Sequence, residues 1–156
     1  MMRNSPVDLR GLRFVDVTTA GGNVSDAAML ARCEPLHRQL RPDIPADYDG
    51  FMRAVFSEGG RMSAAVENGV VQAMAVWRVY TNAVDGRKIH IDDIVTDEPV
   101  RGVGVGKTLL DYLRLKAHRD GCKTMTLDPS VKRQSAHRFF FAHGLVVTSF
   151  SFKKHL

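Results

Sequence analysis

Between Arg61 and Thr96 the chain offers three apolar runs with no room for a helix between any two of them. Arg61–Glu67 and Val70–Tyr80 are separated only by Asn68-Gly69, and Asp85-Gly86 stands just ahead of the third run, Lys88–Thr96. Asn-Gly and Asp-Gly are the dipeptides that adopt the positive-φ turns of tight hairpins, so these runs are expected to form an antiparallel meander. A doubly wound parallel sheet needs a crossover helix between successive strands, and neither gap is long enough to hold one.

On either side of the meander the pattern changes period. Leu12–Val17 alternates apolar and polar residues as a half-buried strand does, and after Gly21-Gly22 the segment Val24–Leu40 has the pattern of a helix with Asn23 or Ser25 as its cap. The stretch RPDIPADYDG breaks that helix, and Asp47–Glu58 is expected to form a second one. After the meander, Leu109, Leu110, Leu113 and Ala117 form an apolar stripe on a helix from about Gly104 to Arg119, closed by Gly121. Thr124–Leu127 reads as a short strand and Gln134–His143 as a helix with Ala136, Phe139 and Phe140 on one side and Gly144 as its stop. Leu145–Phe152 completes the pattern as strand or hairpin material. The expected fold class is α/β in the α+β sense: a single mixed, mostly antiparallel central sheet flanked by helices. A chain of 156 residues fits one domain, here over residues 9–156, with residues 1–8 as a flexible N-terminus.

No apolar run approaches the roughly 18 residues of a membrane span, and MMRNSPVDLRG lacks the apolar region of a signal peptide, so a cytoplasmic protein without membrane partners is expected. Cys33 and Cys122 have no partner at metal or redox spacing; two reduced structural thiols and no metal site are expected. The net charge of +5 is unevenly placed: residues 1–100 hold 11 Lys/Arg against 14 Asp/Glu, and residues 101–156 hold 11 against 3. No nucleic-acid reading motif or aromatic-interleaved basic stripe accompanies the basic part, which suits a small polyanionic ligand better than nucleic acid. A solvated basic surface accounts for most of these charges as well.

The basic part opens with VRGVGVGKTLL, Val100–Leu110. Gly106-Lys107-Thr108 would end a nucleotide P-loop, but its first glycine would have to stand at Arg101. A dinucleotide turn needs a third glycine after a two-residue gap, and the two possible registers place Lys107 or Leu109 there. What remains is a glycine-rich turn feeding a helix, whose free N–H groups and positive dipole end favour an anion.

Arg101, Gly104 and Gly106 fit the pattern Arg/Gln, two residues, Gly, one residue, Gly/Ala. Together with the preceding strand IDDIVTD and the segment AHRFFFAHGL, Ala136–Leu145, this resembles the GCN5-related N-acetyltransferase (GNAT) family over about residues 89–145. The resemblance implies that the loop amides hold the pyrophosphate of coenzyme A. The cradle would be Arg101, Gly102, Val103, Gly104, Val105, Gly106 and Lys107, with charge-assisted contacts from Arg101 and Lys107. It also implies that Ile94, Val95 and Thr96 present backbone groups to the pantetheine arm and acetyl carbonyl, one amide serving as an oxyanion donor. Arg133, with Lys132 and Arg138 nearby in sequence, would reach the adenosine phosphates, although plain surface charge accounts for these three too.

Acetyl transfer to an amine has a proton problem, because an alkylammonium with a pKa near 10.4 is neutral in only about one molecule in 2,500 at pH 7. Asp92 and Asp93 lie mid-strand, where aspartate is disfavoured. Alternation sends Asp92 to the face of His90 and Ile94, and Asp93 to that of Ile91 and Val95, so only one can face the acetyl group. Several members of the family carry an acidic base at the position of Asp92, which makes Asp92 the first candidate and Asp93 the second. A structural carboxylate, or a relay through His90, are the alternatives. The chain departs from the family at Phe140, where a tyrosine usually protonates the departing thiolate. Phenylalanine has no proton to give, and Ser135, His137, His143 or water would have to replace it.

The expected function is acetyl-CoA-dependent N-acetyl transfer to a primary amine of a small molecule or protein, within a ternary complex. Cys122 has no adjacent histidine to make it a nucleophile. Glu34, Asp43, Asp47, Asp49 and Glu58 in the N-terminal helices could attract a cationic acceptor such as a polyamine, an aminoglycoside or lysine, although acids of this kind commonly form a solvated face. The alternative is a catalytically weak acyl-CoA-binding regulatory module of the same fold, which the absent tyrosine would suit. A homodimer is possible through exchange of terminal strands.

Overall fold

The computed structural model describes residues 8–156, so residues 1–7, nearly all of the segment expected to be flexible, lie outside the described residues. Among the described residues, five strands form one sheet in the order β1-β2-β3-β4-β5. They are β1 (Arg13–Asp16), β2 (Arg61–Glu67), β3 (Val70–Asn82), β4 (Gly86–Thr96) and β5 (Thr124–Leu127). The first four pair antiparallel, with the expected meander at the centre. Beside β4, the Lys123 amide donates to the Arg87 carbonyl at 2.8 Å, and the Thr126 hydroxyl lies 2.8 Å from His90 Nδ1. These contacts advance in the same direction along both strands, so β5 runs parallel to β4 and the sheet is mixed. Since β5 has 4 residues and β4 has 11, Asp92–Thr96 have no strand partner on that side among the described residues.

Four helices complete the order: α1 (Ala27–Leu40), α2 (Tyr48–Ser57), α3 (Val105–Arg119) and α4 (Gln134–Ala142). Helix α1 starts later than the sequence pattern suggests, because the expected caps serve elsewhere. Ser25 Oγ donates to the Asp16 and Val17 carbonyls at 3.1 Å, and Thr18 bridges to Val24, which folds this segment back on the end of β1. The cap is Asp26, whose carboxylate accepts from the Met29 amide at 2.8 Å. Helix α2 is capped by Asp47, which accepts from the Gly50 amide at 3.0 Å. A Cβ at position 50 would run into the Asp47 carboxylate, which explains a glycine inside the first turn. Asp47→Ala is expected to cost about 1 kcal/mol, measured as a lower urea midpoint with an unchanged slope.

Helices α1 and α2 cover one face of the sheet, where Leu30, Cys33, Leu36, Met52 and Phe56 pack on Met62, Ala64, Met74, Val76 and Val95. Helix α3 lies on the other face. There Tyr112 stacks on Phe14 at 4.4 Å between ring centroids, and Lys116 Nζ sits 5.4 Å from the Trp77 ring. Cys33 and Cys122 are buried and free, and burial pushes the Cys33 thiol up to about 12. No described helix is long and apolar enough to cross a membrane.

The described chain forms one compact unit up to Thr126 and a second over Leu127–Leu156. In the second unit α4 stops before Gly144, as expected, and the Leu145 amide reaches back to the Phe140 carbonyl at 3.0 Å. The strand expected over Leu145–Phe152 does not form: residues 145–156 carry no regular structure, and Phe152 is 95% exposed. A strand exists only where another strand's edge takes up its backbone groups, and none of the five described strands pairs with this segment.

Candidate active site

The register of β3 and β4 contains the feature that builds the site. Val76 pairs with Asp93 and Trp77 with Ile91, so Asp92 is an extra residue without a cross-strand partner. Such a bulge interrupts the two-residue period and re-aims the side chains around it. The expectation that Asp92 and Asp93 occupy opposite faces is therefore overturned: both carboxylates line a single pocket of about 600 Å³, bounded by α1, the connection to α2, α2 itself and β4.

Each carboxylate has its own partners. Arg78 Nε donates to Asp92 Oδ1 at 3.2 Å and Oδ2 at 3.0 Å, its Nη2 donates to Oδ2 at 2.5 Å, and its Nη1 donates to the Glu58 carbonyl at 3.2 Å. The bond to Asp92 raises the Arg78 pKa above the ordinary guanidinium value. Among the described residues Asp92 Oδ1 has this longer contact and an approach of 3.8 Å from His90 Nε2, which leaves it lone-pair capacity.

Asp93 is 14% exposed and committed at both oxygens. Oδ2 accepts from His37 Nε2 at 2.9 Å and Oδ1 from Arg41 Nε at 2.7 Å. Burial alone would raise its pKa, but the His37 bond and the Arg41 charge outweigh it and hold the carboxyl below its usual range. His37 is 2% exposed. An ionised carboxylate can only accept, so His37 carries its proton on Nε2. In the neutral ring, Nδ1 then accepts from the Tyr48 hydroxyl at 3.0 Å. Burial pushes the Tyr48 phenol well above its ordinary value. Asp93 is thus an anion anchoring the end of α1 to β4, while Asp92 is tied to Arg78 of the neighbouring strand.

Sequence reasoning missed His37, Arg41, Tyr48 and Arg78. The only local signal was the spacing of four between His37 and Arg41, which in a continued helix would share one face; Arg41 is in fact the C-cap of α1. Of the five acids expected to attract a cation, Glu34 pairs with Arg38 at 2.9 Å, Asp49 pairs with Arg53 at 2.7 Å, and Asp47 caps α2. Only Asp43 among the five lines the pocket.

From the pocket, β4 continues through Ile94, Val95 and Thr96, which pair with Ala75, Met74 and Ala73 on one side and have no strand on the other among the described residues. Arg101 Nε donates to the Thr96 carbonyl at 2.9 Å, tying the loop to the end of the strand. Gly102 has φ 84°, and Gly104, the N-cap of α3, has φ 99° and ψ 3° with no side-chain cap bond. This left-handed conformation is natural for glycine and strained for other residues. The first-turn amides of Val105, Gly106 and Lys107 therefore have no acceptor within the helix. Val105 is buried and anchors the turn, Val103 is exposed, and Lys107 Nζ bonds Asp111 at 2.6 Å. A Cβ at Gly102 would meet nothing within 4 Å, so the approach to this backbone is open.

The remaining expected residues belong to the second unit. Arg133 is the N-cap of α4 and its amide donates to the Ser130 carbonyl at 3.0 Å. His137 Nε2 and His143 Nδ1 bond the Ser130 and Phe139 carbonyls at 2.9 and 2.6 Å, and Phe140 is buried.

A model of the acetyltransferase (GNAT) family matches residues 28–145. The chain is 29% identical over 129 residues to an uncharacterized N-acetyltransferase of Bacillus subtilis, YhdJ, covering 80% of this chain and 89% of the relative. It is 29% identical over 133 residues to the aminoalkylphosphonate N-acetyltransferase of Salmonella typhimurium, covering 85% of both. Its fold is similar to that of AAC(6')-Iy in complex with the bisubstrate analog CoA-S-monomethyl-acetylneamine, with a TM-score of 0.77 and 18% identity over 93% of this chain and 97% of that one.

Proposed function

The chain belongs to the acetyltransferase (GNAT) family and is an N-acetyltransferase, and on that footing we propose direct transfer of an acetyl group from acetyl-CoA to a primary amine seated beside Asp92, with both reactants bound together. The observation that carries this reading is the bulge, which brings Asp92 into the lining of a pocket at the head of the open edge of β4. Acetyl-CoA, when bound, supplies the acetyl group as an activated thioester. The residues present suit that molecule: the start of α3, with no side-chain cap, and the positive-φ glycines of the loop leave N–H donors of the kind that holds a diphosphate.

In this reading Gly102–Lys107 hold the diphosphate, with Arg101 fixed at the Thr96 carbonyl beside it. Open backbone groups of Ile94, Val95 and Thr96 align the pantetheine arm, and an amide among them donates to the acetyl oxygen. Asp92 takes the ammonium proton directly or through one water, which makes the nitrogen nucleophilic. Asp93 keeps its charge and holds the wall. As the C–N bond forms and the C–S bond breaks, the nitrogen gives up its second proton to water, and because Phe140 has no proton to give, the leaving thiolate takes its proton from water. Buried free thiols at Cys33 and Cys122 go with the reducing cytoplasm we assign to the protein.

Release of free thiol from acetyl-CoA, followed over a chemically diverse amine panel, tests the reading. Amine-dependent release is expected; protection by acetyl-CoA against thermal unfolding without release for any amine would make the protein a regulatory acyl-CoA binder instead. Gly104→Ala is expected to lower stability by about 1–2 kcal/mol through the forced left-handed conformation. It should also weaken acetyl-CoA binding, read as a smaller thermal shift at a fixed ligand concentration.

A further inference from the structure

Charge in the pocket is largely cancelled from within. Arg78 lies against Asp92 and Arg41 against Asp93, while His37 is engaged at both ring nitrogens. Asp43, at the rim, has no ion-pair partner among the described residues. Arg41 has N–H groups to spare, but its guanidinium is 49% exposed and rests on Asp93, so an acidic group placed there would meet that carboxylate as well. The uncompensated charge is that of Asp43, so the pocket as a whole is negative and favours an incoming ammonium, for which Asp92 is the acceptor deeper in the lining.

The rest of the wall is carbon. Leu40, Ile44, Phe51, Met52 and Val55 line it, and most of the surface the pocket exposes is apolar. This wall is also built in advance. Arg38 Nη1 donates to the Ile44 carbonyl at 2.5 Å, Nη2 to the Pro45 carbonyl at 2.8 Å, and Nε to Glu34 at 2.9 Å, which pins the connection between α1 and α2 in place. A preformed apolar concavity with a few polar groups at one end is what an amphiphilic small molecule fills without ordering costs. A polyhydroxylated or acidic amine would leave its own polar groups against carbon.

We propose that the acceptor is a primary amine on an apolar body, an arylalkylamine or branched alkylamine, whose ammonium sits at Asp92 and whose body lies on Ile44 and Phe51. This deepens the acetyl-transfer reading and rests on it. The test measures kcat/KM for thiol release with ethylamine, isoamylamine, phenethylamine, ethanolamine and 2-aminoethylphosphonate. Each methylene buried is expected to add about fourfold, so phenethylamine should exceed ethylamine by roughly tenfold or more. Ile44→Ser and Phe51→Ser should each shrink that ratio, a readout that a general loss of fold or of catalysis would not move. Ethanolamine or 2-aminoethylphosphonate turning over as well as phenethylamine, or a ratio unchanged in both variants, overturns the proposal and leaves acetyl transfer standing. No release with any of the five amines or the wider panel overturns both.

Discussion

Asp92→Asn is expected to lower kcat for amine-dependent thiol release by about 10²–10⁴-fold, the range that removal of a general base produces. The substitution is nearly isosteric, and the amide oxygen of asparagine can still accept from Arg78, so the pocket keeps its shape while losing the carboxylate proposed as the base. The thermal shift produced by acetyl-CoA should stay at its wild-type size, because the loop at Gly102–Lys107 is untouched. The loss should also shrink as pH rises. Between pH 7 and 10 the neutral fraction of a free alkylamine climbs about tenfold per unit, so solvent should take over the deprotonation proposed for Asp92. A purely structural carboxylate would show no such recovery. A kcat for the variant close to wild type at pH 7 would remove Asp92 from the mechanism.

Asp93→Ala is expected to act on stability, costing about 3 kcal/mol at pH 7. The Arg41 guanidinium is half exposed and returns to water at little cost, so most of the loss comes from the buried Nε2–H of His37 left without an acceptor. The pH dependence has a definite sign. The carboxyl of Asp93 is held below its unfolded value, so the unfolded chain binds the extra proton, and stability from this group is fully present above the unfolded carboxylate pKa of about 3.9. It is lost as pH falls through the lower folded value. Urea unfolding of wild type and variant at a series of pH values should therefore show the gap widest near neutrality and closing below pH 4, and a gap independent of pH would contradict the assignment. Asp16, likewise lowered, despite burial, by Lys116 and Ser63, supplies the acid sensitivity left in the variant.

The meander and the loop were legible because both are written in local chemistry. Asn68-Gly69 and Asp85-Gly86 turn the chain on their own account, and Gly102 and Gly104 mark backbone that other residues would strain. The caps of α1 and the pairing of Leu145–Phe152 were misjudged because each depends on a partner remote in sequence. Ser25 was drawn to the end of β1 by the Asp16 and Val17 carbonyls, and the last apolar segment found no strand to join.

By itself the sequence determined the order of elements up to α4, the antiparallel core of the sheet and the glycine-capped start of α3, since propensity, turn chemistry and hydrophobic period act within a few residues. Which faces the two aspartates occupy was decided only by tertiary structure. Whether 11 residues of β4 pair one-for-one with β3 depends on a bulge, and that single extra residue carries Asp92 onto the same side as Asp93. Their partners, Arg78 from the preceding strand, His37 from α1 and Arg41 from the C-cap of α1, more than 50 residues earlier, meet them only once the chain has packed.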